Sequence, residues 1–169
     1  MLTIRCTQKL TKELEAAGHS VAPEPEEILP LQEWYANLIR IERRKCVLFT
    51  HVGTLFSFFV PGLTRPDFKA FDQTFRQNLH TLLQQEEINT PLARIAPNSV
   101  PVRILKTKSW RILGCMNELV FATRIILEME GGLAATDLAM LNHRLNDTLL
   151  GAPDYTRPGE AFRELVAGL

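Results

Sequence analysis

Between Trp34 and Val60 the chain is so dense in β-branched and aromatic residues, with such short gaps between its apolar runs, that it has few ways to fold. That density reads as three strands, over 34–41, 45–51 and 55–60. Glu42, Arg43 and Arg44 fill the first gap, Gly53 sits in the second, and Pro61-Gly62 ends the run. Connections this short join antiparallel neighbours, so an antiparallel meander is predicted. Leu2, Ile4 and Cys6 alternate with Thr3 and Arg5, which predicts a further strand over 2–6, and 102–106 reads as another.

The helices follow from apolar spacing near 3.6. Thr7 precedes Leu10, Leu14 and Ala17, and Gly18 stops that short helix. Thr64 with Asp67, and Pro66 in the first turn, opens a helix that runs to about Glu87 and carries Phe68, Phe71, Phe75, Leu79, Leu82 and Leu83 on one face. From Ser109 to Glu130 the apolar residues reach almost all the way round: Ile112, Met116, Leu119 and Leu127 mark one side, and Trp110, Phe121 and Ile125 extend it. That pattern predicts a largely buried helix, closed by Gly131-Gly132. Leu138, Leu141, Leu145 and Leu149 predict another, and Pro158 opens a last one with Phe162, Leu165 and Val166. Residues 20–30, with Pro23, Pro25, Pro30 and the solvated acids Glu24, Glu26 and Glu27, read as a surface loop. The expected architecture is one α+β domain over 1–169: an antiparallel meander sheet of four or five strands packed against three or more helices.

Charge narrows the partners. Nineteen basic and nineteen acidic residues cancel, so binding to nucleic acid has to come from a local patch. Cys6, Cys46 and Cys115 stand alone in apolar sequence, as buried reduced thiols do, and the histidines are equally scattered, so no metal and no cofactor are expected. The opening residues lack a basic segment followed by an apolar run, and no stretch is apolar enough to span a bilayer; a cytoplasmic protein without a membrane partner is expected.

Two places carry candidate chemistry. The first is the basic turn, Arg40, Arg43, Arg44 and Lys45, beside the aromatic pair Trp34 and Tyr35. Basic groups on a strand-rich surface hold a phosphate backbone, and neighbouring aromatics stack bases; the alternative is a solvated turn whose charges discourage edge pairing. The second is the strand-to-helix junction, where Lys106, Thr107, Ser109 and Arg111 precede and open the long helix, so that amides and side chains offer donors to an anion. It lacks the glycines of a P-loop, and Ser109 also reads as an N-cap. Asn117 and Glu118 interrupt the helix expected to be buried, and a buried amide or carboxylate belongs either to a structural network or to a pocket. Cys115 reads as a core thiol, since no histidine accompanies it as a base. These observations support a non-catalytic binding or accessory module for a protein or nucleic-acid partner. The alternative is a small phosphoryl-transfer enzyme or nuclease at the junction 106–118, with Lys106, Arg40, Asn117 and Glu118 in one cleft.

The run Trp34-Tyr35-Ala36-Asn37-Leu38, followed by Arg43-Arg44-Lys45-Cys46, resembles an uncharacterised bacterial family catalogued as a domain of unknown function. Members open with an Arg-Cys-Thr-x-Lys-Leu stretch, matched by Arg5 to Leu10, and carry Lys-Thr-x-x-Arg-Ser-x-Leu-Gly-Ser-Met-Asn-Asp, matched from Lys106 to Glu118. Here Trp110 and Arg111 stand at the Arg-Ser positions, Cys115 replaces Ser and Glu118 replaces Asp. The resemblance implies no activity.

Overall fold

The computed structural model describes residues 1–149 and 157–168. Its strands are β1 (Thr3–Cys6), β2 (Glu33–Ile41), β3 (Arg44–His51), β4 (Ser57–Val60) and β5 (Arg103–Lys106), in the order β4-β3-β2-β1-β5. The helices among the described residues are α1 (Gln8–Ala16), α2 (Arg65–Lys69), α3 (Phe71–Gln85), α4 (Leu92–Ile95), α5 (Trp110–Glu130), α6 (Leu138–Asp147) and α7 (Pro158–Ala167).

The α+β class and the meander of β2, β3 and β4 are present, but the sheet as a whole is mixed rather than antiparallel. β1 lies between β2 and β5 and runs parallel to both. The reason is the length of the connections. α1 and the loop after it carry the chain back to the starting end of the sheet before β2 begins, and such a crossover returns a strand parallel to the last.

Period 2 sorts the strand residues between two layers. Trp34, Phe49 and Phe58 face α1, α3 and α7, where they meet Leu10, Leu14, Phe71, Phe75 and Phe162. The Trp34 ring stands edge-on to Phe75 and Phe58, with centroids 5.3 and 5.8 Å away. On the other face Tyr35, Ile39, Cys46, Leu48 and Phe59 pack on Ile112, Met116, Leu119 and Leu127 of α5 and on Leu141 and Leu145 of α6.

Most polar groups buried by this arrangement are paired, although Trp34 Nε1 and Arg76 Nε have no hydrogen-bond partner among the described residues. Arg5 is fully buried on the α5 face of β1. Its Nε donates to Glu33 at 2.6 Å, and Nη1 donates to the Lys106 carbonyl at 3.1 Å and to Glu24 at 3.0 Å. His51 is also fully buried; Nε2 donates to the Pro30 carbonyl at 3.0 Å, leaving Nδ1 to accept from the Thr54 hydroxyl at 2.9 Å. Burial lowers the His51 pKa to about 4 against the opposing pull of the Pro30 carbonyl, so the ring is neutral at pH 7.

Both outer strands are covered. Asn146 of α6 accepts from the Ser57 amide and donates to the Ser57 carbonyl, each at 2.8 Å, while Asn142 accepts from the Phe59 amide at 2.9 Å. Two asparagines one helical turn apart thus stand in for a neighbouring strand along β4. At the opposite edge the Ala22 amide donates to the Ile104 carbonyl of β5 at 2.8 Å.

Two helices depart from the pattern expected of them. The single helix from Thr64 divides at Ala70, whose φ of -100° and ψ of 41° break the ladder between α2 and α3. α5 is half-exposed rather than largely buried. Ile112, Met116, Leu119, Thr123 and Leu127 are buried, but Trp110, Phe121 and Met129 remain 87, 67 and 74% exposed. The sheet and α6 cover one side of α5, and among the described residues nothing lies over the other. Leu119→Ala should therefore lower the unfolding free energy by about 2–5 kcal/mol in urea denaturation. Phe121→Ser on the open side should change it by less than about 0.5 kcal/mol.

Candidate functional site

The turn between β2 and β3 consists of Glu42 and Arg43, both with positive φ, at 50° and 64°. Two left-handed residues make the tight hairpin whose twist suits paired strands, but neither is the glycine or asparagine that the conformation favours. Contacts from α5 and the loop after it hold the turn. The Glu42 carboxylate accepts from the Leu133 amide at 3.2 Å, and Arg124 donates to the Arg40 carbonyl at 3.2 Å. Gly132 lies so close that a Cβ there would stand 2.5 Å from a Glu42 oxygen, and its φ of 108° also suits glycine.

Beside this turn is a cleft of about 670 Å³, bounded by the hairpin, the C-terminal half of α1 and the start of α2. Arg40, Arg43, Arg44, Lys45 and Arg65 line it, with Glu13 as its one carboxylate. Arg40 and Lys45 are cross-strand partners and so project toward the same face of the sheet. Lys45 is held by Glu13, Nζ to Oε1 at 2.7 Å, and lies 5.8 Å from the centre of the Phe68 ring. Arg40, Arg43, Arg44 and Arg65 are exposed, and among the described residues none of their guanidinium groups has a carboxylate partner. Ala16, Ala17 and Gly62 leave the space between them open.

The cleft thus brings together four of the residues singled out in sequence, Arg40, Arg43, Arg44 and Lys45, and adds Arg65 and Glu13 from other elements. Arg65 follows the capping Thr64, so its helix was legible but its proximity to the hairpin was not. The aromatic half of the basic-turn reading is corrected: Trp34 and Tyr35 are buried in opposite layers, because neighbouring strand residues point to opposite faces, and neither ring is open to a base.

The strand-to-helix junction is arranged differently. Ser109 is the N-cap of α5, its Oγ accepting from the Ile112 amide at 3.3 Å. The amides of Lys108 and Ser109 donate to the Tyr35 phenol at 3.2 and 2.9 Å, so these donors are already satisfied within the protein. Lys106 is exposed and lines a separate depression of about 250 Å³ with Gln8, Thr11 and Thr107, at the other end of α1 from the large cleft. Asn117 and Glu118 are exposed on α5, which removes the premise that burial compels them into a network or a pocket. Lys106 and Arg40 therefore line different hollows, and Asn117 and Glu118 lie on a solvated helix face.

Cys6 and Cys46 are buried, and burial raises both thiols; Cys115 is only half-buried, and burial and then Glu118 raise it too. Among the described residues no three histidine, cysteine or acidic side chains gather as metal ligands, and no helix is long and apolar enough to cross a membrane. A family model described as a domain of unknown function, DUF6933, matches residues 3–161. A search of the curated proteins finds no match.

At the junction Glu24 is more than a solvated loop acid, since it binds both Arg5 and Lys108, the latter at 2.8 Å. The hydrogen bond from Arg5, followed by that from Lys108, lowers its pKa from 4.5 to about 2. Between those values the unfolded chain binds more protons at this position than the folded one, so the stability contributed by Glu24 is complete above about 4.5 and is lost as pH falls toward 2. Glu24→Gln should flatten that part of the acid limb when urea midpoints are followed down from about pH 5.

Proposed function

The chain belongs to the family described as a domain of unknown function, DUF6933, and from that premise we propose that it is a non-catalytic binding module whose interface is the arginine-lined cleft. The partner presents anionic groups. One observation carries this reading: Arg40, Arg43, Arg44 and Arg65 line one cleft without carboxylate partners among the described residues, in a chain whose formal net charge is zero. Like charges held together repel, and a balanced chain has acids to spare for neutralising them. Edge protection does not account for Arg65, which opens α2 outside the sheet, so the cluster is more than the charged end of the β2–β3 hairpin. Glu13, the cleft's carboxylate, is engaged by Lys45, which leaves it poorly placed as a general base and favours binding over catalysis.

A sulfated polyanion supplies the test. The wild-type protein should be retained on heparin at low salt, and the double variant Arg43→Glu, Arg44→Glu should pass through with an unchanged thermal midpoint. Equal retention of the two would defeat the proposal.

A further inference from the structure

We infer that the cleft takes the phosphodiester backbone of a nucleic acid, held through its phosphates without stacking of its bases; this deepens the binding-module reading and rests on it. The lining distinguishes this ligand from an acidic protein segment. A protein partner that binds tightly seats apolar anchors in desolvated pockets. Around this cleft the apolar residues are either small, such as Ala16 and Ala17, or already covered, as Leu63 and Phe68 are at 6 and 3% exposure. No pocket is left for an anchor.

A phosphate chain needs no such pocket. Its affinity comes from cations that release condensed counterions, and its backbone approaches closely where the floor is small. Ala16, Ala17 and Gly62 form that floor, and four of the five cations are arginines, whose planar forks match phosphate oxygens in pairs. The buried positions of Trp34 and Tyr35 leave no aromatic platform beside the cations, so the contact is indifferent to base sequence. Glu13 tunes the site, because its carboxylate occupies Lys45 and withholds that cation from the ligand.

The experiment is a titration of the full chain into a fluorescein-labelled DNA duplex of mixed sequence, read by anisotropy at several NaCl concentrations, with poly-glutamate as the competing polyanion. Four unpaired arginines predict a slope of log K against log salt of about -3.6, or about a 150-fold loss of affinity between 50 and 200 mM. Arg65→Ala should reduce that loss to about 40-fold, and Arg65→Lys should restore it because the charge returns. Glu13→Gln should steepen the slope by about 0.9 as Lys45 becomes available. Poly-glutamate that competes as well as unlabelled duplex, or an unchanged slope in a folded Arg65→Ala variant, would overturn the inference. Loss of heparin retention on reversal of Arg43 and Arg44, without a preference for DNA over poly-glutamate, would leave the binding module standing and remove only its nucleic-acid partner. A wild-type protein that binds neither heparin nor DNA would remove both.

Discussion

Arg5 places a guanidinium inside the sheet, on a strand flanked by parallel neighbours, where its side chain is shut off from water. Stripping a charge of water costs several kcal/mol unless partners replace the hydration, and every partner here comes from a different part of the chain. Glu33 begins β2, Glu24 stands in the loop after α1, and the Lys106 carbonyl ends β5. The buried ion therefore requires three segments to arrive together. Through Lys108 the same acid reaches the start of α5, so the loop of residues 20–29, poor in apolar groups, is tied down by charge rather than by packing.

From that centre the fold projects the proposed binding surface outward. β2 and β3 extend beyond the parallel strands, and their hairpin end carries the arginines away from the core. The strained turn is steadied by Glu42 and the residues after α5, while α1 and α2 supply the walls. The paired strands beneath and the held turn at the tip fix where the backbone of Arg40, Arg43 and Arg44 stands beside the cleft.

The strands were legible because composition and turn spacing are local properties, and so were the caps at Thr64 and Ser109, which depend on near neighbours. Pairing was legible only where connections are short, along β2, β3 and β4. Nothing within residues 3–6 states that they lie between β2 and β5, and only the crossover length implies parallel contact. α5 misled for a related reason: apolar residues spread around a helix record what it is able to bury, while the number of neighbouring elements decides what it does bury. Trp110 and Phe121 keep their exposed positions for want of a neighbour. In the cleft, Arg40, Arg43 and Arg44 were visible because they crowd one turn, whereas Arg65 and Glu13 reach it from separate helices. The Tyr35 phenol that satisfies the junction lies 74 residues from Ser109, beyond any local signal.

The interior position of β1 also bears on how the protein is made. Its residues leave the ribosome before those of the other strands, yet Lys106, which pairs with Cys6 and closes over Arg5, emerges 101 residues after Arg5. Once β4 has emerged the hairpin meander is complete, but β1 still has one bare edge and its cation lacks part of its coordination. Long-range pairing of this kind closes late and slowly. The growing polypeptide is thus open to pairing with another strand until β5 is released.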